Sequence, residues 1–279
     1  MQTRQIFIAL DDYQLPNPVM EYGIHQAKAL EAHARLVAIE QLHLEMTPTS
    51  IAQTDIYQYQ NFEMTEVIDA VKPDVKALTE RAKEIWQDVS YSLEAGFRES
   101  TLIEKSEEER PQLVVVQRKS NLTTLNEWFG THETRLAHNI PNPVLVVPKE
   151  TTWKPVGQIL YVLDLADDAV ENMRLLHFLA ARLKAHLNVA IVAGDEVKEN
   201  NPTFLTAVAM FRQLSSHEQV TYIQVFTKQA ADTVASLVTE TQADWLVFQD
   251  KDRSFISRLF DHYNNAHLIL QSEIPVLVI

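Results

Sequence analysis

The amino-acid sequence predicts an α/β protein that consists of two tandem, doubly wound domains, each built on a five-stranded parallel sheet. Three observations support this fold class: the length, an internal repeat, and short apolar runs that alternate with helical patterns. The chain has 279 residues, and a typical size of about 100 to 200 residues per domain fits two domains. Hydrophobic residues make up 46% and charged residues 22% of the chain, which is ordinary usage for a globular protein.

An internal repeat relates the two halves of the sequence. Residues 112–147 align without a gap onto residues 244–279, with 8 identities in 36 positions, and both segments close on the run Pro-Val-Leu-Val. The run IFIALD at 6–11 matches ILYVLD at 159–164 in the same way. The repeat indicates two copies of one fold. The predicted domains are 1–148 and 156–279, with a linker at 149–155 and an insertion in the first copy at about 45–63.

Each half contains five short apolar runs that are bounded by turn-forming or charged residues. Such runs are typical of strands buried on both faces, as in parallel sheets. They are 6–10, 36–42, 89–93, 113–116 and 144–147 in the first half, and 159–163, 188–192, 220–225, 245–248 and 276–279 in the second. Apolar residues at helical spacing lie between them, as parallel neighbours require, and Pro73 is expected to start or kink its helix.

Charge and composition exclude several function classes. The chain has 24 Lys and Arg against 38 Asp and Glu, a formal net charge of -14, which would repel a nucleic-acid backbone. The absence of cysteine excludes disulfides, thiolate metal sites and cysteine nucleophiles. The N-terminal apolar run is too short for a signal peptide, and no later stretch is long enough to span a membrane. We therefore expect a cytoplasmic protein with no nucleic-acid or membrane partner.

An aspartate follows the first strand in both halves, Asp11 in the first and Asp164 in the second. Ligands of open parallel sheets bind beyond the carboxyl ends of the strands, so both carboxylates are candidate ligand contacts. The alternative is that each aspartate only caps the following turn or helix.

The aspartate, the loop and helix after the fourth strand, and the closing Pro-Val-Leu-Val strand, all present twice, resemble a tandem universal stress protein of the universal stress protein A-like family. The resemblance implies a Rossmann-like fold of the adenine nucleotide alpha hydrolase-like type. It also implies an internal pseudo-dimer, in which the last strands of the two halves pair antiparallel. An alternative for these closing strands is burial under a helix.

Nucleotide-binding members of that family carry a signature after the fourth strand: Gly, two residues, Gly, nine residues, then Gly with Ser or Thr. In the first half Gly130 and Thr131 match the final pair, whereas Gln117 and Ser120 stand where the other glycines are expected. The corresponding positions of the second half are Gln249, Asp252, His262 and Tyr263. The signature is therefore degenerate in the first half and lost in the second.

Those glycines let backbone amides approach the phosphates, so larger side chains at their positions would crowd a nucleotide. A residual site in the first half would consist of Asp11, Gln117, Arg118, Ser120, Gly130 and Thr131. Arg118 and Lys119 favour such a site by their charge, but they also fit a solvated loop, and Gly130 also fits a packing position. For the second half we expect no ATP binding.

The resemblance implies a protein of stress response and regulation. Neither a nucleophile elbow nor a phosphate-binding lysine loop is present, and the ten histidines show no metal-ligand spacing. We therefore expect a non-catalytic protein without cofactor or metal, whose partner is another protein or a second copy of the chain. Two alternatives stay open: an ATP-binding switch that uses the residual site, and a hydrolase or phosphotransferase that uses Asp11 with a metal.

Overall fold

The computed structural model of the chain describes residues 4–40, 53–118, 132–163, 169–193, 219–226, 230–249 and 274–279, together with 209 and 213. These residues form two compact units. The first unit contains the chain up to Gln117 together with Asn139–Asn142, and the second contains the remaining residues up to Ile279.

The first unit is built on four parallel strands. They are β1 (Gln5–Leu10), β2 (His33–Glu40), β3 (Val89–Ala95) and β4 (Leu113–Arg118), in the order β3-β2-β1-β4. The chain adds β2 and β3 on one side of β1 and then adds β4 on the other side. The position beside β1 where the strand order reverses is the switch point at which open sheets of this kind bind ligands. Strands β1, β2 and β4 are largely buried, and β1 is fully buried from Ile6 to Leu10. Strand β3 is half-buried beyond Val89, so the expectation of burial on both faces is wrong for this strand.

Three helices connect these strands: α1 (Pro18–Leu30), α2 (Gln53–Ile85) and α3 (Arg98–Glu109). Helix α1 begins at Pro18, because Asn17 caps it by accepting a hydrogen bond from the Met20 amide at 3.0 Å and a proline suits the first turn. Helix α2 takes in the insertion from Gln53 onward, so part of the insertion is helical. Pro73 lies inside α2, so it does not start this helix, and the other expectation, a kink at Pro73, stays a prediction.

The second unit is built on five parallel strands and one antiparallel strand. The strands are β5 (Val144–Pro148), β6 (Gln158–Leu163), β7 (His186–Ala193), β8 (Val220–Phe226), β9 (Trp245–Phe248) and β10 (Val276–Val278), in the order β5-β10-β9-β6-β7-β8. Helices α4 (His132–Asn139), α5 (Ala169–Leu183) and α6 (Ala230–Glu240) accompany them. The fold class predicted from the sequence, a doubly wound α/β fold with a mainly parallel sheet, is confirmed.

The two closing strands pair with each other in the second unit. Strand β10 pairs antiparallel with β5, with Leu277 opposite Leu145, and parallel with β9. Strand β5, which the repeat assigns to the first half, thus belongs to the second unit by its contacts. The pairing is the one that the resemblance implies for these strands, whereas an internal pseudo-dimer of the two halves stays a prediction.

Local geometry recurs at equivalent positions of the two units. Each helix that precedes the second strand ends on a non-glycine residue with positive φ, Glu31 (52°) in the first unit and Lys184 (57°) in the second. The next residue then donates its amide to a carbonyl of the last helical turn at 2.9 Å in both units. Within the described residues, no helix combines the length and the apolarity that a membrane crossing requires.

Candidate functional site

The carboxyl ends of the strands in the first unit define the candidate site. Strand β1 ends at Leu10 and is followed by Asp11, β2 ends at Glu40, and β4 ends at Gln117 and Arg118. Because neighbouring parallel strands end at the same edge of a sheet, these side chains belong to one edge, at the switch point beside β1.

Asp11 is held by an arginine that the sequence motifs do not indicate. The Arg98 guanidinium forms an ion pair with the Asp11 carboxylate, and the two side chains are only 12% and 11% exposed. A second nitrogen of the same guanidinium donates to the Leu10 carbonyl oxygen at 2.6 Å. Arg98 therefore joins the start of α3 to the end of β1 and neutralises the carboxylate that the sequence analysis proposed as a ligand contact.

Neighbours of Asp11 cap the turn and the helix that follow β1. The N-cap of α1 is Asn17, and the turn after β1 is capped by Asp12, whose Oδ1 accepts from the Gln14 amide at 3.3 Å. Asn17 also donates to the Asp12 carbonyl at 3.0 Å. These neighbouring residues make the capping contacts, so Asp11 is available for its pair with Arg98.

A second acidic side chain, Glu40, lies at this edge. Burial and a hydrogen bond to the Glu40 carboxylate raise the pKa of Tyr13 well above its ordinary value of 10. Because its pKa is raised, the Tyr13 hydroxyl stays protonated. A protonated phenol can donate a hydrogen bond, and the Glu40 carboxylate accepts it. The carboxylates of Asp11 and Glu40 offset the charge of Arg98, so these three groups leave little net positive charge for a phosphate group.

The loop that carries Arg98 turns at Gly96. The Gly96 amide donates to the Glu40 carbonyl at 2.9 Å, which ties this loop to the end of β2. A Cβ at position 96 would lie 2.7 Å from the Thr101 hydroxyl oxygen, and the φ angle of +158° is unfavourable for other residues. Glycine at this position thus allows α3 to start where Arg98 reaches β1.

Glutamines occupy the first glycine position of the expected signature in both units. Gln117 lies at the end of β4 and is 7% exposed, and Gln249 follows β9 and is 6% exposed. The Gln249 Oε1 atom is buried and has no hydrogen-bond partner among the residues that the structure describes. Both buried amides occupy space beside the first strand that a glycine would leave open to a ligand.

The remaining predicted site residues have different outcomes. Arg118 is half-buried at the end of β4 and makes contacts of its own. Ser120, Gly130 and Thr131 lie outside the described residues, as do Asp164 and the second-half positions 252, 262 and 263. Of the six predicted residues, Asp11 and Gln117 lie at the ends of the neighbouring strands β1 and β4 of the first unit, and the site as a whole stays a prediction. Among the described residues, no group of three His, Asp or Glu side chains is arranged to hold a metal ion.

Two of the contributing residues were missed by the sequence analysis. Arg98 is 87 positions from Asp11 in the chain and belongs to no motif, although a cation two residues after Gly96, just beyond the third strand, is a usable signal. Tyr13 follows the expected ligand aspartate by two positions, and only the fold shows that Glu40 is its acceptor.

The fold and the site define a doubly wound, Rossmann-like α/β protein with a polar edge at its switch point. Solved structures of such proteins resemble the chain over nearly its full length. A universal stress protein from Archaeoglobus fulgidus DSM 4304 matches with a TM-score of 0.66 at 15% identity, over 99% of this chain and 96% of that one. A putative universal stress protein from Pseudomonas aeruginosa UCBPP-PA14 matches with a TM-score of 0.57 at 18% identity, over 99% and 93%.

The chain therefore has the fold of the universal stress proteins, as its resemblance implied. The cytoplasmic domain of a prokaryotic cation chloride cotransporter has a related fold, with a TM-score of 0.51 at 12% identity over 100% of this chain and 95% of that one. No protein-family model and no curated protein sequence matches the chain. Because one fold serves different functions, the function has to be argued from the site.

Proposed function

We propose that the chain is a tandem universal stress protein that acts in stress response and regulation without catalysis. In this proposal the nucleotide-binding motif is degenerate in the first half and lost in the second. The observation that carries the proposal is the bridge from Arg98 to Asp11 and to the Leu10 carbonyl, because this bridge already engages the arginine that a phosphate would need.

A nucleotide at this edge would have to displace contacts that are largely shielded from water. A hydrogen bond that involves a charged group contributes about 1.5 to 3 kcal/mol, and an anionic ligand would gain little from an arginine that is already paired. Gln117 would crowd the approach to β4, and Gln249 would do the same at β9. These features favour a protein whose activity consists of binding a partner rather than of turning over a nucleotide.

A second candidate function is an ATP-responsive switch in the first half. Two arginines favour it, Arg98 after β3 and Arg118 at the end of β4, since guanidinium groups match phosphate geometry. The switch would also use Ser120, Gly130 and Thr131, with Gly130 close to a phosphate. Catalysis through Asp11 and a metal is less well supported, because Arg98 already compensates the charge of the carboxylate.

The proposed setting is the cytoplasm, with a protein partner or a second copy of the chain as the ligand. The formal net charge of -14 favours a neutral or basic protein surface over nucleic acid.

Thermal unfolding with and without 1 mM ATP and magnesium tests the proposal. Saturation at 100 times the dissociation constant would stabilise the fold by about 2.7 kcal/mol, which corresponds to a midpoint shift of roughly 5 to 10 °C. We expect no shift beyond that of magnesium alone. A shift of several degrees that disappears in Gly130→Leu would support the switch instead.

A gain-of-function variant provides the matched control. Gln117→Gly with Ser120→Gly restores the spacing of the signature in the first half, and a midpoint shift with ATP in this variant only would identify the missing glycines as the cause. The proposal of a non-catalytic protein is tested by phosphate release from ATP. Release that is faster in the native chain than in Asp11→Asn would contradict it.

A further inference from the structure

Three polar side chains form a connected row at the amino ends of β2 and β3, at the opposite edge from the candidate site. The Nδ1 atom of His33 lies 2.7 Å from Oδ1 of Asp88, and its Nε2 atom lies 2.7 Å from Oγ of Ser90. Each distance falls within the 2.6 to 3.2 Å that nucleophile, base and orienting group require. The row therefore has the contacts of a serine nucleophile with an oriented imidazole base.

The strand register places the three side chains on one face of the sheet. Arg35 pairs with Ser90 and Ala34 with Val89, so His33 lies opposite Asp88. The Ala34 amide donates to the Asp88 carbonyl at 2.9 Å, and this bond fixes the backbone next to His33. The Trp86 indole donates to the Ala32 carbonyl at 2.8 Å, so the segment before β3 is held against the start of β2 on both sides of the row.

For a neutral His33 ring, the two contacts favour a single position of the ring proton. An ionised carboxylate can only accept hydrogen bonds, so the Nδ1 atom of His33 donates to Asp88. In the neutral imidazole the Nε2 atom is then an acceptor, and it accepts a hydrogen bond from the Ser90 hydroxyl. This is the tautomer that a general base needs in order to deprotonate a serine.

The row is accessible from solvent. The His33 side chain is 22% exposed and the Asp88 side chain 58%, and Ser90 is half-buried. A small electrophile can therefore reach the hydroxyl, whereas a large substrate would find no enclosing walls among these three residues.

The second unit contains a similar pair without the carboxylate. The Nε2 atom of His186 lies 2.7 Å from Oγ1 of Thr221, at the same strand positions as His33 and Ser90. The residue that corresponds to Asp88 is Gln219, whose carbonyl accepts from the Leu187 amide at 2.9 Å. This second pair has a secondary hydroxyl and no orienting carboxylate, and it serves as an internal control.

We propose that Ser90 is an activated nucleophile that accepts acyl groups from small activated esters. The Ser90 oxygen attacks the ester carbonyl carbon and gives its proton to Nε2 of His33, and that proton leaves with the departing alcohol as the carbon-oxygen bond breaks. Water hydrolyses the acyl-serine by the same steps in reverse order and releases the acid. Asp88 is a positioning residue. The inference goes beyond the proposed function and limits its absence of catalysis to the carboxyl edge, because acyl transfer at Ser90 takes place at the opposite edge and is independent of nucleotide binding.

Acylation by p-nitrophenyl acetate tests the inference on the full chain. The release of nitrophenolate measures the rate, and peptide mass mapping locates the acetyl group. We expect an acetyl group on Ser90, complete loss of its formation in Ser90→Ala, and a rate at least about tenfold lower in Asp88→Asn. Asp88→Glu should recover part of that rate. Thr221→Ala should react like the native chain. Acetylation of Ser90 no faster than in urea-unfolded chain, or unchanged in Asp88→Asn, would overturn the proposal.

A thiol in place of the hydroxyl measures the activation directly, because the chain contains no cysteine. The variants Ser90→Cys and Thr221→Cys each have a single thiol, beside the complete row and beside the control pair. We expect iodoacetamide at pH 7 to alkylate the thiol of Ser90→Cys at least about tenfold faster, since an oriented imidazole favours the thiolate. The same rate for both thiols in folded protein, verified by an unchanged unfolding midpoint, would also overturn the proposal.

Discussion

The bridge made by Arg98 predicts a strong energetic coupling at the carboxyl edge of the first unit. In Arg98→Leu the Asp11 carboxylate, which is 11% exposed, loses its counter-charge, and loss of one partner of a buried pair costs about 3 to 5 kcal/mol. The small residual exposure of both side chains favours the lower end of that range. The hydrogen bond to the Leu10 carbonyl adds about 1 kcal/mol, so we expect a loss of about 4 kcal/mol in the free energy of unfolding.

A double-mutant cycle measures the coupling itself. Asp11→Asn alone should cost less than Arg98→Leu, because Arg98 keeps its bond to the Leu10 carbonyl. The double variant has no unpaired buried charge. Its loss in the free energy of unfolding should therefore be smaller than the sum of the two single losses by at least about 1.5 kcal/mol. Arg98→Lys is the matched control, since a lysine keeps the charge but does not make both contacts at once.

Urea unfolding followed by circular dichroism provides the assay, with the midpoint and the slope fitted for each variant. An unchanged slope across the cycle shows that stability alone has changed. Single effects that add within about 0.5 kcal/mol would refute the argument, because independent sites behave in that way.

Three further predictions concern other parts of the two units. Asp244→Ala should lower the free energy of unfolding by roughly 3 kcal/mol, because the carboxylate accepts from two backbone amides at 2.7 and 2.9 Å. Lys154→Ala should cost less than about 1 kcal/mol, because its ion pair with Asp244 is 64% exposed on the lysine side; equal losses in urea unfolding would contradict this assignment. Gly23→Ala should destabilise the chain by about 1 to 2 kcal/mol despite its better helix propensity, because the added Cβ would lie 2.7 Å from Cγ1 of Ile8; adding Ile8→Val should recover part of the loss in thermal unfolding, and no recovery would exclude this contact as the cause. Tyr13 should stay protonated at pH 11, because burial and the bond to a carboxylate raise its pKa above the ordinary value of 10; the unfolded chain ionises this phenol first, so its contribution to stability is complete below pH 10 and declines as the pH rises further. Native tyrosinate absorbance at pH 11 should therefore be the same in Tyr13→Phe, and a decrease of one tyrosine equivalent would show the prediction to be wrong.

Much of the fold follows from patterns that lie close together in the sequence. All ten strands are present near their predicted positions, since apolar runs of four to seven residues between turn signals are distinctive for buried parallel strands. The second strand illustrates the error in the boundaries: it was expected at 36–42 and is found at His33–Glu40. Its first residues include His33 and Arg35, whose polar groups are satisfied by partners far away in the chain, so a search for apolar residues places its start too late.

The contacts of the candidate site are less accessible to sequence reasoning. The carboxylate of Asp11 was recognised by its place after β1, but its partner comes from the loop after β3. The row of His33, Asp88 and Ser90 was not recognised for the same reason, because 55 residues separate the histidine from the aspartate. Strand order and register bring these groups together, and a single sequence does not specify either before the topology is known.

The two buried glutamines bear on the origin of the degenerate motif. Independent loss of a glycine in each half would leave unrelated residues at the two positions. Gln117 and Gln249 are instead identical, lie at the ends of equivalent strands, and are both buried. A buried amide beside the first strand is thus better explained as a property of the repeat itself. An amide at this position offers both a donor and an acceptor, and the Oε1 atom of Gln249, which has no partner within the described residues, would suit a neutral hydrogen-bond donor rather than a phosphate. This chemistry agrees with the paired charge of Arg98, and both features direct the search for a binding partner of the carboxyl edge toward neutral groups.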